Sequence, residues 1–313
     1  MVEQLPIIDF SPFLDPGNEP ETKLSTALEI DRACRESGFF YLTHHGVPTE
    51  FTDAMLKNAT TFFEKASPEA KDEILIKPAG DGIGDDARGF QRIDGGVKGA
   101  HEAVDFYRPV ENYGPPYETG MGVNQWPTTP TNFRSISEMY TDKMLSLGTA
   151  VVRAMALALG VDESALTSRI DQSFWNLRII AYEGSMAQGK VAGIGAHTDF
   201  GILTFLLTDS EKGSLQVLSK GGEWIPADPI EGCFLCNIGD MLSRWTSGIY
   251  KSTEHRVIHT STKRRISVPF FFEPNLDAYI SPVLHAAIPD KSTGEGVLYK
   301  DMFVKATKYP IVI

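Results

Sequence analysis

The pattern of apolar and turn-forming residues changes near residue 172, and this change limits the folds that the chain can adopt. Beyond that point, short apolar runs alternate with turn signals from Gly, Pro and Asp, a pattern typical of antiparallel sandwiches and jelly rolls. The predicted strands cover residues 175–183, 193–199, 203–208, 215–218, 234–238, 252–260 and 266–272. We therefore predict a fold that is mainly β with flanking helices.

Residues 1–171 are predicted to be mostly helical. Apolar residues recur at helical spacing over residues 24–37, 51–62 and 133–158, which places them on one face of each helix. Gly160 follows the longest of these segments, in the position where glycine commonly ends a helix. The sequence thus predicts three substantial helices before the strands begin.

Two short apolar runs within the helical part, residues 5–10 and 39–42, are predicted to be strands. We expect both runs to join the sheet formed by the later strands. A sheet that contains strands from both parts of the chain favours one domain over two. We predict a single domain over residues 1–313, in which 172–275 form the core and 276–313 a C-terminal extension.

The charge and the cysteine content argue against several classes of protein. The formal net charge is −12, and a nucleic-acid-binding protein normally shows a basic footprint instead. Three cysteines are too few for a disulfide framework and fit a reducing compartment. No signal peptide is evident, and no apolar run approaches the length of a membrane span. We expect a cytoplasmic monomer that acts on a small molecule, without nucleic-acid or membrane partners.

Three residues in the strand region form a candidate metal site. His197 and Asp199 are two residues apart in a predicted strand, so their side chains point to the same face. His255 lies far downstream, with room for several strands in between. Two histidines and one carboxylate with open coordination positions favour Fe(II). Taken alone, His197 and Asp199 could also be a buried histidine hydrogen-bonded to an aspartate.

An arginine and a serine follow the second histidine at a matching spacing. Arg265 and Ser267 are two residues apart, so a guanidinium and a hydroxyl share one strand face. The planar guanidinium suits a carboxylate, and the hydroxyl adds a donor. Arg264 is out of register and is expected to face solvent. The pair predicts a site for a small dicarboxylate near the metal.

These motifs carry a resemblance that extends over nearly the whole chain. The sequence resembles the soluble Fe(II)/2-oxoglutarate-dependent dioxygenases of the isopenicillin-N-synthase and plant-type group. The early segments are LPIID, GFF and HGVP, and the more specific ones are GAHTDFG (195–201), NIGD (237–240), KSTEHRV (251–257) and RIS (265–267). The resemblance implies a double-stranded β-helix, which is a distorted jelly roll, with helices packed outside.

The resemblance also implies the roles of the site residues. His197, Asp199 and His255 would bind Fe(II), and Arg265 and Ser267 would hold the distal carboxylate of 2-oxoglutarate. Dioxygen would be the second co-substrate, with succinate and carbon dioxide as products. The primary substrate would be hydroxylated, desaturated or cyclised, because the same metal set serves all three outcomes.

One segment departs from the family pattern. Many members carry an Asn-Tyr-Tyr-Pro run in which the second tyrosine also contacts 2-oxoglutarate. Tyr182 is retained here, but Ile180 stands at the asparagine position, and its side chain has no polar group to donate. Arg178 shares a strand face with both residues and could substitute for the missing contact. Alternatively, Arg178 is paired with another residue within the shell of the site.

The substrate pocket is expected beside the metal, under residues 78–130. This stretch is rich in Gly and Pro and is predicted to be either a lid or a surface excursion with short strands. Phe271 matches a position that often lines the pocket in the family. Further pocket candidates, chosen by placement alone, are Phe90, Gln91, Arg92, Tyr107 and Trp245.

Two alternative functions remain open at this point. The first is an iron oxidase of the same fold that does not consume 2-oxoglutarate, since some such relatives keep an Arg-x-Ser pair. The second is a non-catalytic protein that binds a small molecule on a jelly-roll scaffold. The presence of all three candidate metal ligands argues against the second alternative.

Overall fold

The computed structural model describes residues 4–15, 17–80, 82–94, 100–110, 114–184, 192–283 and 296–308. Parts of the predicted loop at 78–130 and of the extension at 276–313 therefore lie outside the described residues. The helices are α1 Ser11–Leu14, α2 Pro20–Glu36, α3 Thr49–Lys65, α4 Pro68–Glu73, α5 Phe133–Leu159, α6 Ser164–Thr167, α7 Asp240–Trp245 and α8 Tyr299–Lys308. The strands are β1 Ile7–Asp9, β2 Phe39–Thr43, β3 Gly89–Asp94, β4 Ala100–Tyr107, β5 Asn176–Tyr182, β6 Ala192–His197, β7 Leu203–Thr208, β8 Leu215–Leu218, β9 Trp224–Pro226, β10 Cys233–Ile238, β11 His255–His259, β12 Arg265–Phe272, β13 Tyr279–Ile280 and β14 Val297–Leu298.

The three long predicted helices are confirmed as α2, α3 and α5, and local chemistry explains where two of them end. Gly160 follows α5 with φ +66°, a left-handed conformation that glycine adopts without steric cost. Gly38 follows α2 with φ +69° and packs so closely that an added Cβ would lie 2.1 Å from the carbonyl oxygen of Lys251. The turn at Gly38 therefore leads α2 directly into β2.

The later strands pair in a nested order that produces the jelly roll. β5 pairs with β12, β6 with β11, β7 with β10 and β8 with β9, all antiparallel. Coiling of this nested ribbon adds the pairs β7–β12 and β8–β11. β2 extends the sheet beyond β10, and β1 pairs in parallel with β2. The predicted strands at 5–10 and 39–42 thus join the later sheet, as expected.

Two apolar clusters lie on opposite faces of these strands. The larger cluster packs α2, α3 and α5 against the outer face, and the smaller one lies inside the jelly roll. On β12 the even-numbered residues from Ile266 to Phe272 belong to the outer cluster. Because side chains alternate along a strand, Arg265, Ser267 and Phe271 face the interior. This alternation decides which side chains can reach the site.

One strand end differs from the prediction. β6 ends at His197, so Asp199 lies just beyond the strand rather than within it. The stretch at 78–130 contains the paired strands β3 and β4, in agreement with the predicted alternative of short strands, and β4 joins β5 in the main sheet. Residues 101 and 103–106 of β4 are all buried, so β4 lacks the simple apolar–polar alternation by which a strand is recognised in sequence.

Candidate active site

Three side chains converge at one end of the jelly roll, where β6 ends and β11 begins. His197 and His255 are directly paired across these two strands. The Nε2 atoms of His197 and His255 lie 3.8 and 3.5 Å from Oδ1 of Asp199. All three ligand atoms lie within 4.8 Å of one another, so the group could hold a metal ion. The structure therefore brings together the three residues that were predicted from sequence.

Backbone carbonyls orient both imidazole rings toward this point. Nδ1 of His197 lies 2.8 Å from the carbonyl oxygen of Gly195, and Nδ1 of His255 lies 3.2 Å from that of Thr253. A carbonyl can only accept, so each Nδ1 carries a proton and donates it. Each Nε2 is then the nitrogen with a free lone pair, which is the form that binds a metal.

Asp199 is held so that one carboxylate oxygen faces the histidines. Asn237 donates to Oδ2 at 2.7 Å, and the hydroxyl of Thr204 donates to the same oxygen. Burial alone would raise the pKa of Asp199, but the nearby His255 and His197 and the amide of Asn237 lower it well below its ordinary value. The carboxylate is therefore ionised and leaves Oδ1 available to a cation.

The electrostatics of the two histidines follow from their surroundings. Burial and the nearby His255 lower the pKa of His197. Burial also acts to lower the pKa of His255, but the Asp199 carboxylate outweighs it and raises that pKa. A bound cation would compete with the proton on His255, so metal binding at this cluster is expected to weaken as the pH falls.

Deeper in the jelly roll, Arg265 provides a buried positive charge. The residue is 2% exposed, and its Nε and Nη1 atoms have no hydrogen-bond partner within the described part of the chain. Unpaired buried donors on a charged group are costly, which points to an anion as the missing partner. Ser267 is also buried and shares the inward face of β12. These residues fit the dicarboxylate that the sequence predicts.

Tyr182 completes this deep end of the interior. It pairs with Arg265 across β5 and β12, and the Arg265 guanidinium carbon lies 5.2 Å from the centre of its ring. Ile180 lies in the inner apolar cluster beside Tyr182. Arg178 forms an ion pair with Asp105 at 2.9 Å, so the paired arrangement considered for Arg178 is the one observed.

Three of the predicted pocket residues occupy inward positions on their strands, because side chains alternate along a strand. Phe271 faces the interior and pairs with Thr204 and Asn176 on the neighbouring strands. Gln91 donates to Asp105 at 3.0 Å. Tyr107 lies at the end of β4, where its ring packs against Phe174 and Phe303.

The other three pocket predictions require correction. Phe90 and Arg92 occupy outward positions on β3, because side chains alternate along the strand. Phe90 packs against Phe62 in the outer core, and Arg92 forms ion pairs with Asp72 and Glu102. Trp245 is fully buried in the outer core. None of these three side chains is therefore placed to meet a substrate.

One buried acidic residue near the site was missed from sequence. Glu273 follows β12 directly and is 6% exposed, and the hydroxyl of Tyr299 donates to its carboxyl group at 3.0 Å. Burial, opposed by the hydrogen bond from Tyr299 and reinforced by Asp199 and Asp240, raises its pKa to about 8. Arg265, Ser267 and Phe271 face the interior as alternate residues of β12. Glu273 is the next residue in this series, and the series could have identified it from the sequence.

A jelly roll that carries a two-histidine, one-carboxylate cluster beside a buried arginine belongs to the class of non-haem iron oxygenases. Comparison with known proteins agrees with this class. Residues 174–274 match the family described as the 2OG-Fe(II) oxygenase superfamily, and residues 5–129 match the family described as non-haem dioxygenase in morphine synthesis N-terminal.

Curated relatives and solved structures cover almost the whole chain. A homoarginine-6-hydroxylase from Glycine max is 39% identical, with 89% of this chain and 88% of the relative aligned. A 2-oxoglutarate-dependent dioxygenase from Aspergillus niger is 33% identical over 94% of this chain and 90% of the relative. A full-length Neurospora crassa protein, crystallised in complex with alpha-KG (2-oxoglutarate) and thymine, has a TM-score of 0.84 at 27% identity, covering 97% of this chain and 96% of the Neurospora chain.

The chain belongs to the 2OG-Fe(II) oxygenase superfamily. It is an Fe(II)- and 2-oxoglutarate-dependent oxidoreductase that acts on a small molecule with release of succinate and carbon dioxide. The family, the mainly β fold with a jelly-roll core and the cofactors predicted from sequence are thereby confirmed. Among the helices that the structure describes, none has both the length and the hydrophobicity to cross a membrane.

Proposed function

We propose that His197, Asp199 and His255 hold the Fe(II) ion and that Arg265 and Ser267 anchor 2-oxoglutarate. The observation that carries this proposal is the buried Arg265 guanidinium, whose Nε and Nη1 have no partner within the described residues. The distal carboxylate of 2-oxoglutarate would accept hydrogen bonds from these donors and from the Ser267 hydroxyl. Tyr182, whose ring lies beside Arg265, would contact the same carboxylate.

The side chains around the site have separate tasks in this arrangement. When bound, iron and 2-oxoglutarate supply the oxidising chemistry, in which dioxygen is consumed, 2-oxoglutarate becomes succinate and carbon dioxide, and a substrate C–H bond is oxidised. Asn237 and Thr204 hold the Asp199 carboxylate in one orientation. The inner apolar cluster, which includes Ile180 and Val257, excludes water around the co-substrate.

For the primary substrate, we propose a small molecule that enters at the metal-ligand end and is hydroxylated there. Phe271 and Gln91 face this end, and the stretch at 78–130 contributes the neighbouring strands β3 and β4. Four of the relatives are named homoarginine-6-hydroxylases, at 37–39% identity. L-Homoarginine is therefore the first compound to test, with desaturation and ring closure as the other outcomes open to the same metal set.

Further proposals concern the protein as a whole. We propose that residues 1–313 act as a single domain, which the outer core supports because it joins the N-terminal helices to the jelly roll. We also propose a monomeric cytoplasmic enzyme without nucleic-acid partners. The net charge of −12 and the free cysteines Cys34, Cys233 and Cys236 support this assignment.

The test of the assigned residues is succinate release by the purified protein with Fe(II), 2-oxoglutarate and candidate substrates. We expect His197→Ala and Asp199→Ala to abolish succinate formation, whereas His44→Ala, at an exposed histidine, should retain it. Undiminished turnover in either of the first two variants would refute the ligand assignment. Dioxygen uptake without succinate would favour an iron oxidase that does not use 2-oxoglutarate. Failure to bind iron would favour a non-catalytic binding protein.

A further inference from the structure

The inward-facing residues of β5 lie at successive levels along the interior of the jelly roll. Tyr182 pairs with Arg265, Ile180 with Ser267, and Asn176 with Phe271. Strand residues rise about 3.3 Å each, so four residues along β5 span about 13 Å. The proposed anchor of 2-oxoglutarate is at the Tyr182 level, which is the deep end of the interior.

Arg178 lies toward the opposite end of the interior, on the side of the metal ligands. It is four residues before Tyr182 and two after Asn176, on the same face of β5. Asn176 pairs with Phe271, which in turn pairs with Thr204, the residue whose hydroxyl holds Asp199. A co-substrate anchored at the deep end would extend toward the metal ligands, and Arg178 would then lie on the same side as the primary substrate.

The side chain of Arg178 is fixed in place by Asp105. Asp105 is 1% exposed, and its carboxylate accepts from Nη1 of Arg178 at 2.9 Å, from Gln91 at 3.0 Å and from Asn176 at 3.3 Å. Among the described residues, the donors to this carboxylate therefore come from β3 and β5. Because Asp105 is already satisfied by three donors, we assign it the task of positioning Arg178.

The remainder of the Arg178 guanidinium faces the interior. Its side chain is 21% exposed, and among the described residues only Asp105 forms a hydrogen bond or ion pair with it. A guanidinium held on one side and open on the other suits a planar carboxylate.

We propose that Arg178, positioned by Asp105, binds a carboxylate group of the primary substrate. This inference rests on the proposed function, since it places the substrate beside the iron ligands. It makes the substrate class a small carboxylic acid, of which an amino acid is one kind. It also separates the tasks of the two inward-facing arginines, with Arg265 for the co-substrate and Arg178 for the compound to be oxidised.

The test compares acids with their primary amides in the Fe(II)-loaded enzyme. The panel consists of small carboxylic acids, including L-homoarginine, each paired with its amide, and the measurement is substrate-dependent succinate release. We expect acids to stimulate release in the wild-type enzyme and their amides to require about 10- to 100-fold higher concentrations, because a charge-assisted contact is lost. Stimulation by neutral compounds alone, or by no acid in the panel, would overturn the proposal.

The variant Arg178→Gln distinguishes the substrate from the co-substrate. We expect it to raise the KM for the stimulating acid by about 10- to 100-fold and to reduce the preference for the acid over its amide. The affinity for 2-oxoglutarate, measured as a Kd by titration of the anaerobic Fe(II) protein, should change less than about threefold, since the anchor at Arg265 is intact. An equal loss of affinity for 2-oxoglutarate would assign Arg178 to the co-substrate instead.

Two further variants complete the design. Asp105→Asn removes the charge that positions Arg178 and should raise the KM for the acid, with a smaller effect than Arg178→Gln. Arg153→Gln changes an arginine on α5 that is half exposed and paired with Glu163, so it should alter neither constant. If the wild-type enzyme releases no succinate with 2-oxoglutarate under any condition, the proposed function itself fails, which is a different result from failure of the acid preference.

Discussion

Replacing Glu273 with glutamine is expected to change how the stability of the protein depends on pH. The pKa of Glu273 rises from 4.5 to about 8, chiefly because the carboxyl group is buried. Between these values the group is neutral when folded and ionised when unfolded, so the unfolded state binds fewer protons. Stability therefore falls as the pH rises from about 4.5 toward about 8. Glutamine has a similar shape and does not ionise, so the stability of the variant should not fall with pH for this reason.

The size of the effect follows from the pKa difference of about 3.5. One pKa unit corresponds to about 1.4 kcal/mol, so the full difference amounts to about 5 kcal/mol on the alkaline side. We expect Glu273→Gln to gain about 1.4 kcal/mol on the wild type for each pH unit between about 5 and 8. Packing the amide against Gly201, which lies beside the Glu273 carboxyl group, could lower the stability by a constant amount at every pH. Such a cost does not affect the comparison, because the slopes of the free energy of unfolding against pH are compared.

The assay is urea unfolding of the metal-free protein at several pH values. Glu29→Gln, at an exposed glutamate on α2, serves as the control and should follow the wild type. The gain should shrink in the metal-loaded protein, since a cation at Asp199 would cancel part of the repulsion that raises the pKa of Glu273. Parallel stability curves for Glu273→Gln and the wild type would refute the reasoning.

Two further predictions concern the residues around the proposed iron and co-substrate. Arg265→Gln should weaken the apparent affinity for 2-oxoglutarate in steady-state assays by about 10- to 100-fold, because a buried charged anchor is lost; an unchanged apparent affinity would contradict the assigned role. Asn237→Leu removes the donor 2.7 Å from Asp199 and should weaken Co(II) binding by about tenfold, followed by titration of visible absorption. Equal affinity in Asn237→Leu and wild type would show that Thr204 alone positions the carboxylate.

Much of the strand region could be predicted because it consists of short apolar runs separated by turn residues. β7 and β8 agree with the prediction at both ends, since turn residues bound each apolar run. The candidate metal site could be predicted because His197, Asp199 and His255 belong to a chemical set with few other uses. The same reasoning placed Asp199 within a strand, although β6 ends at His197.

Two of the three corrected pocket predictions, Phe90 and Arg92, depended on which face of β3 is turned toward the interior. Gln91 and Phe90 are neighbours in sequence, yet one contacts Asp105 and the other packs against Phe62. A shift of one residue in the pairing of β3 decides between these outcomes. Its partner β4 is buried on both faces, so the sequence of β4 does not indicate how the two strands are aligned. The ion pair between Arg178 and Asp105 joins residues far apart in the chain, and no local pattern could reveal it.

The nested pairing of the strands gives the metal centre a mechanical role. His197 and His255 sit opposite each other on β6 and β11, so an ion held by both cross-links two strands that are distant in sequence. The hairpin of β8 and β9 closes that loop from the far side, while β5 and β12 enclose it. Because closing a long loop costs conformational entropy, an ion held by both histidines would offset part of the cost of pairing β6 with β11. We therefore expect metal binding to stabilise the folded protein as well as to supply the oxidising centre.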